Sequence, residues 1–134
     1  MKVVLDADIV IGALDASDAH HARARSLFED WQEQEMPRLL SVVNLSEILV
    51  APAADHRRLR KAREAIAALD VAIHRPSEAI GVEAARLRSR HPISLPDAYC
   101  LATAKHVGGS LASFDAKVVR AGAAEQLAQV RTAR

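Results

Sequence analysis

Short apolar segments alternating with amphipathic helical stretches predict an α/β fold, a three-layer α/β/α sandwich around a mainly parallel sheet. Two observations carry this. The chain opens on a β-branched apolar run, Lys2 to Leu5, and each later apolar run of strand length is followed by a stripe at helical spacing. Half of the 134 residues are apolar, enough for one hydrophobic core, and no repeats, linkers or low-complexity segments divide them. Residues 1–134 therefore read as a single domain.

Lys2 to Leu5 is the expected first strand, buried on both sides. Asp8 precedes Ile9-Val10-Ile11 and is placed to cap a helical turn there. Ser17 to about Glu35 forms a helix whose Ala24, Leu27, Phe28 and Trp31 share one face. Part of that stripe is also a candidate surface for a dimer or partner. Pro37 ends the helix, and Arg38 to Val43 reads as the second strand. A short helix from Asn44 to about Ala51 turns Leu45, Ile48 and Leu49 inward. Asp55 then caps a helix to Leu69, with Leu59, Ala62, Ile66 and Leu69 on its buried side. Val71 to His74 is a third strand, and a helix after Pro76-Ser77 carries Ile80, Ala84 and Leu87 inward before stopping near His91-Pro92. Ser94-Leu95-Pro96-Asp97 is a helix-start signature for a segment reaching about His106. Gly108-Gly109 breaks the chain before the strand Ser110-Leu111-Ala112; a short helix to Ala121 and a last strand at Leu127 to Arg131 complete the pattern.

Composition narrows the function. Eighteen basic residues balance seventeen acidic ones, so any nucleic-acid contact requires the basic residues to be segregated. The single cysteine, Cys100, forms no internal disulfide and fits a reducing cytoplasm. Asp6 falls too early for a secretory signal, and no run approaches the roughly 18 apolar residues that span a bilayer. Phe28, Trp31, Tyr99 and Phe114 are the only Phe, Trp or Tyr residues, too few for several base-stacking platforms.

Four acids fall at the ends of predicted elements. In parallel α/β sheets, ligands bind beyond the carboxyl ends of the strands. Asp6 follows the first strand, Asp115 follows the Ser110–Ala112 strand, Asp97 lies in the first turn of a helix, and Glu47 interrupts an apolar pattern after the second strand. Such a cluster suits Mg²⁺ or Mn²⁺, which take oxygen ligands and relieve carboxylate repulsion. Taken singly, each acid has a plainer role. Asp8 caps a helix, Asp97 answers a helix dipole, Asp115 serves a turn or cap, and Glu47 sits on the surface.

The sequence resembles a PIN domain, and within that superfamily the VapC-type toxin of VapBC toxin–antitoxin pairs. The matching pieces are Val3-Val4-Leu5-Asp6-Ala7-Asp8-Ile9-Val10-Ile11, Asn44-Leu45-Ser46-Glu47-Ile48-Leu49, Leu95-Pro96-Asp97-Ala98 with its trailing Leu101-Ala102, and Leu111-Ala112-Ser113-Phe114-Asp115. They occur in the family's order along nearly the whole chain, and Leu-Pro-Asp-Ala is the most specific. The resemblance implies a PIN-like fold and an endoribonuclease whose catalytic acids are Asp6, Glu47, Asp97 and Asp115. It also implies Asp6, Asp97 and Asp115 as ligands of Mg²⁺, with Mn²⁺ as substitute, and Ser113 as a supporting hydroxyl. Cleavage would leave a 5′-phosphate and a 3′-hydroxyl. The implied partners are RNA, a VapB-type antitoxin and a second copy of the chain, with no membrane. One departure stands out: such toxins commonly carry Thr, Ser or Asn two residues after the first acid, where this chain has Asp8. Asp8 either adds charge to the site or keeps only a local hydrogen bond.

Two basic clusters, Arg57-Arg58-Arg60-Lys61-Arg63 and Arg86-Arg88-Arg90, read as solvated helix faces or as phosphate grips beside the acids. The histidines show no zinc spacing and read as structural or surface residues, and Cys100 as a small buried hydrophobe. Two alternatives remain. One is a haloacid-dehalogenase-like phosphatase with Asp6 as nucleophile, for which Lys105 and Lys117 fit poorly. The other is a non-catalytic PIN-like scaffold that binds RNA or a partner.

Overall fold

The computed structural model describes residues 1–132. Val3, Val4 and Leu5 form strand β1 (Val3–Leu5), fully buried because helices cover both faces of the sheet. Strands β2 (Arg38–Ser41), β3 (Ala72–His74) and β4 (Ser110–Ala112) join it in the order β3-β2-β1-β4, all parallel. Val3 pairs with Arg38 on one side and Ser110 on the other. The chain steps from β1 outward to β2 and β3, then returns to β4 on the opposite flank. The direction of winding therefore reverses between β1 and β4, the switch point where doubly wound sheets open a crevice.

Strand periodicity assigns the two cores. Val3, Leu5, Leu40 and Ala112 face one layer: α1 (Ala7–Leu14), α2 (His21–Glu33), α3 (Val42–Leu49) and α4 (His56–Ala68). Val4, Leu39 and Leu111 face the other: α5 (Glu78–Arg90), α6 (Leu95–Val107) and α7 (Ala116–Ala124). The expected three layers are present. Each fully buried Leu or Ile contributes about 1.5–3 kcal/mol of transfer free energy. Phe28 and Trp31 pack edge to face at 5.2 Å and are buried, so that stripe belongs to the core rather than to a partner surface.

Several boundaries differ from the sequence expectation. The first helix begins at Ala7, and Asp6, not Asp8, is its N-cap. Asp15 to His20 form turns, so α2 starts at His21 rather than Ser17. Val42 and Val43, read as the end of the second strand, are helical because the Ser41 hydroxyl accepts from Val43 N and starts α3 early. The region expected as a last strand contributes one bridge, Leu111 with Gln129. On α4 only Ile66 is fully buried. Gly108 closes α6 at φ +66°, a conformation that Gly adopts without Cβ strain.

Candidate active site

The carboxyl ends of β1 and β4 lie side by side, and Asp6 N donates to Ala112 O at 2.9 Å. Asp6, 4% exposed, is held by both carboxylate oxygens. Oδ1 accepts from Ala7 N at 2.8 Å, capping α1, and Oδ2 accepts from the Ser113 hydroxyl at 2.7 Å. Burial, helped by the Asp8 charge, pushes its carboxyl up to about 8 despite the Ser113 hydrogen bond; Asp97 pushes the same way.

Asp8 projects from the first turn of α1 toward the β4–α7 corner. Its Oδ2 accepts from Phe114 N at 3.0 Å and lies 3.5 Å from Ser113 Oγ, while Oδ1 is buried without a partner. Burial raises this carboxyl to about 6 against the Phe114 N–H; Asp115 and Asp97 raise it, and His20 lowers it. Ser113 Oγ also accepts from Asp115 N at 3.0 Å, so one hydroxyl ties Asp6 to the backbone that carries Asp115. Asp115 is exposed and caps α7 through Oδ1, which accepts from Lys117 N at 2.8 Å.

Glu47 and Asp97 approach from the other side. Ser94 and Asp97 form a capping box at the start of α6, with Asp97 N donating to Ser94 Oγ at 3.2 Å and Asp97 Oδ2 accepting from Ser94 N at 3.4 Å. Glu47 stands on α3, raised by burial and by the Asp97 charge against a hydrogen bond from Asn44. Asn44, quoted above only within its motif, joins the two elements that carry these acids. It is fully buried, and its Nδ2 donates to Glu47 Oε1 at 2.9 Å and to Pro96 O at 3.1 Å. Its Oδ1 has no partner. An amide on the inner face of a short apolar helix was the available signal.

The carboxylates thus form an electrostatically linked series, Glu47 with Asp97, Asp97 with Asp6 and Asp8, and Asp8 with Asp115. Among the described residues, no group of three or more His, Cys, Asp or Glu side chains is drawn together tightly enough to hold an ion unaided. A magnesium ion needs less, since it usually binds through one or two carboxylates and keeps several waters. Two orphaned buried acceptor oxygens and three carboxyls lifted by burial fit such a cation.

A family model described as PIN domain matches residues 3–124, spanning every acid in the series. The chain belongs to the PIN-domain family. Solved structures with the same fold include a toxin–antitoxin complex from Klebsiella pneumoniae, 24% identical at TM-score 0.68 over 87% of this chain and 88% of that one. Mycobacterium tuberculosis VapC20, described as a sarcin-ricin loop cleaving toxin, is 20% identical at TM-score 0.74 over 90% and 95%. VapBC2 from Rickettsia felis, bound to a fragment of its promoter DNA, is 14% identical at TM-score 0.75 over 97% and 98%. Comparison with curated proteins gives no match.

Elsewhere in this PIN domain, two members of the second basic cluster, Arg86 and Arg90, are engaged by acids. Arg90 and Lys105 both pair with Glu83 and Glu125, Arg86 pairs with Glu83, and His91 Nε2 lies 2.7 Å from Glu125. The first cluster, on α4, is solvent-exposed throughout. Cys100 is fully buried, and burial pushes its thiol well above the usual range. Among the described residues no helix is long and apolar enough to cross a membrane.

Proposed function

We propose that residues 1–134 are one nuclease domain, a Mg²⁺-dependent endoribonuclease of the cytoplasm that accepts Mn²⁺ and acts as the toxin of a type II toxin–antitoxin pair. The observation that carries this is Asp6. A buried carboxyl at the sheet's switch point, held by Ala7 N and Ser113 Oγ and flanked by Asp8 and Asp97, is costly to ionise unless a cation joins it. The fold shared with VapC20 and the toxin–antitoxin complexes supports the same reading, including a VapB-type antitoxin, while a homodimer rests on the sequence resemblance alone.

Asp6, Asp97 and Asp115 would hold the cation, Asp115 through the carboxylate oxygen not spent on capping α7. When bound, the ion supplies polarisation of the phosphate and a lowered pKa for water. The remaining work falls to the protein. Ser113 fixes the orientation of Asp6, and Asn44 fixes Glu47 beside Asp97. Glu47 Oε1 accepts from Asn44, and Oε2 serves the exchange of a proton with an attacking water or a leaving oxygen. The products would carry a 5′-phosphate and a 3′-hydroxyl.

The phosphatase alternative fits less well. A nucleophilic Asp6 needs an open line of attack, but both of its oxygens accept hydrogen bonds in a buried setting. Lys105 is bonded to Glu83 and Glu125 on the outer surface.

Sequencing of 5′-phosphate RNA ends after induction tests the proposal. Discrete new ends with wild type, absent with Asp6→Asn, are expected. Identical end profiles for the two would reject it.

A further inference from the structure

His20 and Phe114 stack face to face, ring centroids 4.3 Å apart and planes within 7°. Phe114 follows Ser113 at the corner after β4, and its N–H donates to Asp8. The stack is therefore anchored to the acidic site through the same backbone that carries Asp115. His20 is the outer ring, its side chain 54% exposed, and Phe114 beneath it is half-buried. Gly12 on α1 lies beside the stack. A Cβ there would lie 3.2 Å from Ala24 Cβ, 3.5 Å from Phe114 Cε2 and 3.7 Å from His20 Cβ.

The imidazole does little for the fold. His20 holds the N-cap position of α2, yet its side chain makes no capping hydrogen bond. Its ring lies 3.6 Å from the Asp18 carboxylate, an exposed contact worth little. An exposed aromatic face at the rim of a phosphodiester site, able to carry positive charge, has the chemistry of a base-stacking platform.

We infer that His20, supported by Phe114, forms a lip on the acidic site that stacks one nucleobase of a single-stranded RNA next to the scissile phosphate. The inference rests on the ribonuclease reading and adds to it an unpaired substrate and a residue that positions it. Among the described Phe, Trp and Tyr residues, Phe28 and Trp31 are buried in one core and Tyr99 packs against the other, which leaves this stack to serve the site. Every base offers a π-face, so the lip recognises an unstacked nucleotide rather than one letter.

The test compares two probes of equal length: a labelled mixed-sequence single-stranded RNA and an abasic ribose–phosphate chain. Binding is read by anisotropy in manganese buffer, in an Asp97→Asn background that prevents cleavage, with and without His20→Ala or His20→Phe. His20→Ala should weaken binding of the RNA roughly tenfold, within the range of a single base–aromatic stack. It should leave binding of the abasic chain unchanged, and His20→Phe should restore most of the loss. Equal losses on both probes, or none on the RNA, would overturn the lip. Wild-type cleavage of the same RNA separates the two claims. Cleavage without a base-dependent loss sinks the lip alone, whereas a base-dependent loss without cleavage sinks the ribonuclease reading alone. If the background chain binds neither probe, the lip is overturned.

Discussion

The Ser113 hydroxyl donates to Asp6 Oδ2 at 2.7 Å, joining the ends of β4 and β1 across 107 residues of sequence. The same oxygen accepts from Asp115 N, so a single side chain sets the spacing of two acids.

Removing that hydroxyl leaves a buried carboxylate short of a donor. Ser113→Ala should lower stability by about 1–3 kcal/mol at neutral pH, the usual cost of leaving a buried polar group without its hydrogen-bond partner. RNA cleavage should fall with it, because Asp6 loses its fixed orientation. Denaturant unfolding and a cleavage assay read the two effects, and Ser113→Thr should recover part of each. Unchanged unfolding in Ser113→Ala would contradict the role given to the hydroxyl.

Asp6 predicts an unusual pH dependence. Its folded-state carboxyl is raised to about 8 from 3.8, so the folded protein holds the proton more tightly than the unfolded chain. This contribution to stability is fully present below the unfolded value and is lost as pH rises through about 8. In chelator, wild type should lose stability between about pH 4 and 8, and Asp6→Asn should flatten that slope while retaining an N-cap. Added manganese should restore wild type at pH 8 but not the variant. Parallel slopes for the two proteins in chelator would count against the buried-acid account.

Glu125 predicts the opposite sign. The His91 hydrogen bond leads the causes that lower its carboxyl to about 2, with Lys105 and Arg90 adding to it. Its stabilisation is present above the unfolded value near 4.5 and disappears as pH falls through about 2. Glu125→Gln should therefore destabilise the protein at pH 6 and much less at pH 2. Acid unfolding monitored by circular dichroism checks this; equal destabilisation at both pH values would show that its packing, not its charge, matters.

The exposed cations on α4 give a salt-dependence test. Neutralising Arg57, Arg60 and Arg63 together should weaken single-stranded RNA binding and flatten the log–log salt slope by about 2, at ~0.7 per phosphate contact. An unchanged slope would return this face to the solvent.

Much of the fold was legible because local and tertiary preferences agree. The apolar runs at Val3–Leu5 and Ser110–Ala112 became strands, and Ser94 capped the helix that carries Asp97, as its spacing indicated. The misreadings fall where a single hydrogen bond outweighs propensity. Val42 and Val43 are β-branched, but the Ser41 cap turns them into helix. Asp8 looked like a cap from its place before Ile9, yet the Phe114 N–H contributed by a distant loop draws it into the site. Asn44 and His20 were not legible as site residues. The partners that define them, Pro96 O and the Phe114 ring, meet them only in the folded chain.

The central claim is that Asp6 and Asp97 form the core of a metal-dependent ribonuclease site. Cleavage of single-stranded RNA by purified wild type, Asp6→Asn and Asp97→Asn, in manganese and in chelator, tests it most directly, with thermal unfolding run beside each protein. The account predicts cleavage by wild type in manganese alone and background rates from both variants, each still folding cooperatively. Full cleavage by either folded variant, or wild-type cleavage that persists in chelator, would contradict it.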